Sequence, residues 1–403
     1  MKLKNKPSWW QRKKAKLAII RQDLVAIRPV RHGVLFVGYA EAGLGLGETF
    51  RTLLTAVSAT SVPFAIYPFN VGVENRLIGP FMPDRYDREH RYDVNLIYMA
   101  VDQLPGMFKK LGRSRTNRSY NILRTYWELP RAPDAWAPWL ASVDEIWAPT
   151  RFVAKAFQQI FDGPITIIPP CIDAEFCKSR TRAEFGMEND RFYFMFSFDY
   201  FSFPSRKNPL GVIKAFQSAF PRSNHGVGLI IKSTSVSGQS HDIKAEIDYA
   251  RECDNRIIVI DKQLTRSEML GLMSIVDSYV SLHRSEGFGL GMAEAMALGK
   301  PVIGTGYSGN TDFLSDVTGF PVPWELREVQ PGEYPWSEGQ SWADPDLLAA
   351  QEIMKRVFED GNERHTRAEA GKAYIKKHYS QTEIGRLAEK HLVRRLTLMG
   401  RLR

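Results

Sequence analysis

Two carboxylates, Glu286 and Glu294, stand with seven residues between them in SEGFGLGMAEAMALGKPVI, residues 285–303. A strand is expected to end near Leu282. The turn after it runs through Gly287, Gly289 and Gly291, and a helix opens near Leu290 and stops at Gly299 and Pro301. Glycines at such a turn let backbone approach a ligand closely, and amides at a helix start favour an anion. A carboxylate accepts hydrogen bonds from two neighbouring hydroxyls. Glu286 in the loop and Glu294 on the helix would therefore suit a sugar and a ribose on either side of a phosphate.

Cations that could meet that phosphate stand in FSFDYFSFPSRKNPLGVIKAF, residues 196–216, where Arg206 and Lys207 are adjacent. Arginine can grip two phosphate oxygens at once, and lysine acts as a point charge. Such a pair can neutralise a leaving diphosphate. A second glycine-rich turn, GYAEAGLGLGETFRTLL at residues 38–54, places Gly43, Gly45 and Gly47 between a strand and a helix. By itself it also fits a dinucleotide fingerprint, which needs an acid at the end of the second strand. That strand, VPFAIYPFN, ends at Asn70 instead.

The segment EGFGLGMAEAMALGKPVI resembles the signature of retaining glycosyltransferases of family 4, of the bacterial surface-polysaccharide type, and the resemblance extends through roughly residues 33–395. It implies a GT-B fold: two Rossmann-like doubly wound parallel-sheet domains facing a cleft, the second holding most of the donor. It implies that Glu286 contacts the donor sugar, that Glu294 contacts the ribose, and that the amides of Phe288, Gly289 and Leu290 lie near the sugar and diphosphate. Lys207 carries over as a catalytic cation. The family usually spaces its Arg and Lys several residues apart, so Arg206 matches less directly. Gly43 and Gly45 would border the donor phosphates. Relatives place a His-Asp pair near TYWELPRAPDAW, residues 125–136, where this chain has Trp127-Glu128. Two readings stand for Glu128: an acceptor-side hydrogen-bonding acid, or part of the wall. Asp102, in MAVDQLP, is a further acceptor-side candidate, and Asp312 lies where relatives often carry an acid.

The expected elements follow from short β-branched or aromatic runs alternating with helix-length stretches. Strands are read at 33–38, 63–68, 94–99, 121–126, 145–148 and 165–168. A second set falls at 192–198, 227–232, 256–260, 278–282 and 301–304. Many are apolar on both faces, as buried parallel strands must be. Helices are read at 47–59, 151–160, 209–220, 242–252, 267–274 and 290–298; 319–342 reads as irregular and 344–398 as helical. The linker is placed at 169–190. The expected domains are a basic N-terminal segment at 1–31, an acceptor-side domain at 32–180, a nucleotide-sugar domain at 181–375 and a basic C-terminal helix at 376–403.

At 403 residues, 44% hydrophobic and 12% aromatic, the chain is long and apolar enough for two packed domains. Residues 1–31 hold ten Lys or Arg and one Asp; residues 386–403 hold six and one Glu. With a net charge of +9 overall, the body between them is acidic. That distribution argues against a nucleic-acid groove across the core. It suits ends that touch an anionic membrane surface, or that are solvated or packed on the protein itself. Trp9, Trp10, Lys13, Lys14 and Lys16 could form an amphipathic basic helix. The three cysteines form no CxxC pair, which points to a reducing, cytoplasmic setting with the inner membrane face as a peripheral site. No metal and no cofactor is expected. Asp344-Pro345-Asp346 matches a DxD pattern but reads as a helix cap.

The reading is a retaining hexosyltransferase. It would move a sugar from a nucleotide-diphosphate sugar, with GDP-mannose suggested by the resemblance, to a glycan or lipid-linked oligosaccharide acceptor in polysaccharide assembly. The rivals are another GT-B activity, such as an epimerase or phosphorylase, and a non-catalytic membrane or nucleic-acid binding protein.

Overall fold

The computed structural model describes residues 30–174, 179–234 and 241–400. Trp9, Trp10 and the lysines after them lie outside the described residues, as does Cys177. The chain forms two compact units. One holds residues up to Trp127, Arg131–Cys171 and Tyr379–Arg403, and the other holds Glu128–Pro130 and Ile172–His378.

The first unit is built on six strands: β1 Val30–Gly38, β2 Phe64–Pro68, β3 Arg91–Tyr98, β4 Tyr120–Arg124, β5 Glu145–Ala148 and β6 Ile165–Ile167. They pair in the order β2-β1-β3-β4-β5-β6, every pair parallel. Residues 34–38 of β1 are buried on both faces, because helices such as Gly45–Ser58 cover the sheet.

The second unit repeats the plan with β7 Phe192–Ser197, β8 Val227–Ser233, β9 Ile257–Asp261, β10 Ser278–Ser281, β11 Val302–Thr305 and β12 Phe320–Val322. Their order is β12-β11-β10-β7-β8-β9, again all parallel. Phe194, Phe196, Leu229, Ile231, Val280 and Ile303 fill its core. The strand expected from residue 256 starts at Ile257. Arg256 is instead buried, paired with Asp254 at 2.8 Å and with its guanidinium over Phe216.

Three expectations are corrected. The boundary between the units falls at Cys171/Ile172, ahead of 180/181. Residues 319–342 are not irregular. They include β12 and most of an antiparallel ribbon, β13 Trp324–Glu328 with β14 Ser341–Pro345. The ribbon's charged, partly exposed β13 and the prolines of its loop hid it from an apolar-periodicity reading.

The basic C-terminal helix, expected over 376–403 as a segment of its own, is the helix Gln381–Leu398 and belongs to the first unit. Gln381–Leu398 packs on the first unit, burying Ile384, Ala388, Leu392 and Leu396 in that unit's core. A Cβ on Gly385 would lie 2.7 Å from the Ala56 carbonyl oxygen, so the two helices touch at backbone distance. Arg395 Nε also donates to the buried Glu145 carboxylate at 2.7 Å. Leu392→Ala is expected to destabilise the first unit by about 2–5 kcal/mol, the usual cost of a cavity at a fully buried leucine. Urea denaturation followed by circular dichroism checks it.

Candidate active site

In an open parallel sheet, ligands bind beyond the carboxyl ends of the strands where the strand order reverses. In the second unit that point lies between β7 and β10. The chain proceeds outward from β7 through β8 and β9 on one side, and from β10 through β11 and β12 on the other. The segments leaving these two strands carry Arg206 and Lys207 after β7, and Glu286 to Leu290 after β10.

Local chemistry fixes both segments. Asp199 caps the turn after β7 by accepting from the Phe201 amide at 2.7 Å. Asn208, in a left-handed conformation with φ 56°, accepts from the Gly211 amide at 3.2 Å and starts the helix Pro209–Ala219. Its side-chain amide donates to the Leu282 carbonyl at 2.8 Å, and the Arg284 amide donates to the Arg206 carbonyl at 2.8 Å. The two segments are thereby laced together through main-chain carbonyls, one bonded by a side chain and one by main chain.

That lacing brings three charges to one place. Lys207 Nζ lies 2.5 Å from Glu286 Oε1, and Arg206 Nη1 lies 3.0 Å from Glu286 Oε2 and 2.8 Å from the Ser285 carbonyl oxygen. Arg206 is 5% exposed and Glu286 7%. Burial opposes the Glu286 charge, yet Lys207 and then Arg206 outweigh it and bring its pKa down to about 2. Burial pulls the Lys207 pKa below its ordinary value, with Glu286 pulling the other way. Burial also lowers the pKa of His283, favouring its neutral form, and the ring is set between Ser281 Oγ at 3.1 Å and Asn310 Oδ1 at 2.9 Å.

The Glu286 main chain is clamped from the turn Ser308–Asp312. Ser308 Oγ accepts from its amide at 2.8 Å, and its carbonyl accepts from the Gly309 amide at 2.9 Å. Beyond it, Gly289 stands at φ 95° as the N-cap of the helix Leu290–Ala297, so the amides at this helix start lie a few residues from the Glu286 carboxylate along one loop. The Phe288 ring is buried against Phe313, which leaves its main chain as the part able to meet a ligand. Glu294 is buried on the same helix and pairs with Arg266, whose other nitrogen donates to the Asp173 carbonyl at 3.1 Å.

Glu128 belongs to this unit. Tyr334 Oη donates to its Oε2 at 2.5 Å, and Ser285 Oγ donates to its carbonyl. The structure thus brings Arg206, Lys207, Glu286, Phe288, Gly289, Leu290, Glu294 and Glu128 into one unit.

Gly43, Gly45 and Asp102 lie in the other unit, at its own reversal between β1 and β3. There Gly43 donates its amide to the Arg76 carbonyl at 2.8 Å, and Gly45 is the first residue of the helix Gly45–Ser58. A Cβ on Gly47 would sit 2.3 Å from the Ala42 carbonyl oxygen, which only glycine allows. Burial, and then Asp102, push the Tyr39 hydroxyl up to about 12. Asn70, at the end of the VPFAIYPFN run, donates to the Glu41 carboxylate.

Asp346 caps the helix Leu347–Glu359 through the amides of Leu348 and Ala349, and Asp344 accepts from Arg284 Nε at 3.0 Å. Asp312 offers its carbonyl to the Tyr374 hydroxyl at 3.1 Å. Sequence reasoning did not single out His283, Ser308, Arg266 or Tyr334. His283 was within reach, standing just past the β10 carboxyl end. Ser308 and Tyr334 are brought in by turns and loops, and Arg266 by the start of the helix Arg266–Ile275, through contacts that carry no sequence period.

Residues 186–323 match the family model described as Glycosyl transferases group 1. Among solved structures, sucrose-phosphate synthase from Thermosynechococcus elongatus superposes with a TM-score of 0.68 at 15% identity, covering 92% of this chain and 100% of its own. Anabaena HepE in complex with UDP and glucose gives 0.64 at 14% identity, with 90% and 99% covered. A glycosyltransferase from Rickettsia africae gives 0.64 at 12% identity, with 91% and 99% covered. No curated protein sequence matches the chain. The fold is GT-B, two Rossmann-like domains each with a six-stranded parallel sheet.

Proposed function

We propose that the protein is a retaining hexosyltransferase that takes its sugar from a nucleotide-diphosphate sugar and passes it to a glycan or lipid-linked acceptor in polysaccharide assembly. The observation that carries this is the triad of Lys207, Arg206 and Glu286 at the reversal of the second sheet, beside the start of the helix Leu290–Ala297. Two fixed cations and a helix start can take up the charge that appears on a departing diphosphate without reorganising. Glu286, ionised and aimed by both cations, orients the sugar hydroxyls and is not the nucleophile. Glu294 holds the ribose. The acceptor hydroxyl attacks from the face of the leaving diphosphate, whose oxygen takes the proton as the C–O bond to the sugar breaks. Glu128 is the acid nearest the acceptor in this reading. No metal is assigned to the step.

The donor's base and sugar are read from a thermal-shift screen against UDP, GDP, UDP-glucose and GDP-mannose. The resemblance suggests the last of these, while the HepE crystal structure is of a complex with UDP. A ligand at about 100 times its Kd should stabilise the protein by about 2.7 kcal/mol, a rise of several degrees in Tm. One nucleoside diphosphate and its sugar should do this, and NAD should not. If every nucleotide leaves Tm unchanged, the reading is wrong.

A further inference from the structure

The ribbon β13–β14 begins at Trp324, immediately beyond the matched span 186–323, yet it is pinned to the site. The Ala343 amide donates to the Arg284 carbonyl at 3.1 Å, and Arg284 Nε donates to Asp344 at 3.0 Å. Within the ribbon's loop, Glu333 receives Arg327 at 2.7 Å and the Gln330 amide at 2.8 Å. This fixes the neighbouring Tyr334, whose ring lies 4.8 Å from that of Phe203. Tyr334 is buried, and its hydroxyl reaches Glu128 Oε2 at 2.5 Å.

Glu128 is a second acid in a place that already has one. Arg206 and Lys207 supply two positive charges, and Glu286 already answers both cations directly. Among the described residues Glu128 makes no ion pair with either cation. Its charge is nonetheless felt there: burial works against the Arg206 charge, while Glu286 and then Glu128 raise that group's pKa. A carboxylate on a flexible stem, close to two poorly hydrated cations, would be drawn into contact with them. In contact it would compete with a diphosphate for the same donors.

We propose that Tyr334 is a positioning residue that holds the Glu128 carboxylate off Arg206 and Lys207, keeping both cations available to the donor's diphosphate. The ribbon, which lies outside the matched domain, thereby sets how tightly this site binds diphosphate. This rests on the nucleotide-sugar reading above.

The test is isothermal titration with UDP and with GDP on the full chain, comparing the wild type with Tyr334→Phe, Glu128→Gln and the double variant. Phenylalanine keeps the ring on Phe203 and removes only the hydroxyl. Tyr334→Phe should weaken the nucleotide that the wild type binds by roughly tenfold, and Glu128→Gln should tighten it a few-fold. The double variant should return to within roughly twofold of Glu128→Gln, because a neutral amide released by Tyr334 no longer competes. A double variant as weak as Tyr334→Phe alone would mean that the hydroxyl only supports the fold, and the proposal fails. Unchanged affinity in Tyr334→Phe overturns it as well, with the nucleotide reading left standing. A wild type that binds neither UDP nor GDP removes that reading and this proposal together.

Discussion

Lys207→Ala is expected to lower sugar transfer by about 10²–10³-fold in kcat, the usual loss when one preorganised charge partner of a developing anion is removed. Lys207 Nζ sits 2.5 Å from Glu286 on a segment laced to the β10 loop, so its position is set before any ligand arrives. The loss should fall on kcat more than on the donor KM, since charge on the departing diphosphate grows toward the transition state. A melting curve separates this from unfolding: Arg206, 3.0 Å from Glu286 in the unmutated protein, is retained, so the buried carboxylate should keep a partner. Steady-state kinetics with the donor found by the thermal screen measures the loss, and wild-type rates in this variant would remove Lys207 from the mechanism.

The same variant changes the acid response. Glu286 has its pKa depressed from the ordinary 4.5 to about 2, so the stability it contributes is present above pH 4.5 and is lost as pH falls toward 2. With one of its two cations gone, the depression should shrink, so less of this stability is present above pH 4.5 and its loss is complete at a higher pH. Acid unfolding of Lys207→Ala should therefore start at a higher pH than in the wild type.

Gly309→Ala is the second large effect, and it acts through shape alone. A Cβ there would stand 2.3 Å from the Gly287 carbonyl oxygen, 2.6 Å from its carbon and 2.8 Å from the Glu286 carbonyl oxygen. All three are main-chain atoms, so no side-chain rotation relieves the clash. The loop must move, breaking the Gly309 amide to Glu286 carbonyl bond and carrying the Glu286 carboxylate off its two cations. The expected cost is about 1–3 kcal/mol in stability, as for other overpacked sites, and loss of nucleoside diphosphate binding beyond roughly tenfold. Gly106→Ala is the control. A Cβ at Gly106 meets nothing within 4 Å, so binding there should be unchanged. If Gly309→Ala bound nucleotide as the wild type does, the clamp on Glu286 would have no role in recognition.

Much of the fold could be read from the chain because buried parallel strands write a strong local signal. FYFMFSF and VGLIIKS can be little else than central strands, and they are β7 and β8. Each of the eleven strands read from the sequence has a counterpart, with ends shifted by a few residues at most. The ribbon β13–β14 was missed because its stability comes from cross-strand pairing and from Arg284, which no window of sequence contains. The C-terminal helix was read as a helix, but its partner was not. Its apolar stripe says only that it must be buried, not that the first unit's core receives it.

The site divides in the same way. Glu286, Lys207 and the turn at Gly289 were legible because each sits just beyond a strand's carboxyl end, and strand ends follow from apolar runs. By itself, the sequence determined which residue types stand at those ends and hence the chemistry available: two cations, an anion-favouring helix start and two acids. Tertiary structure decided the pairing. It set Glu286 between Lys207 and Arg206, gave Glu294 to Arg266, and put Glu128 under Tyr334 in the second unit. Hydrogen bonds and ion pairs between residues up to 206 positions apart are selected only when β7 and β10 lie side by side and the loops close over them. A carboxylate in the sequence does not specify which cation it will face.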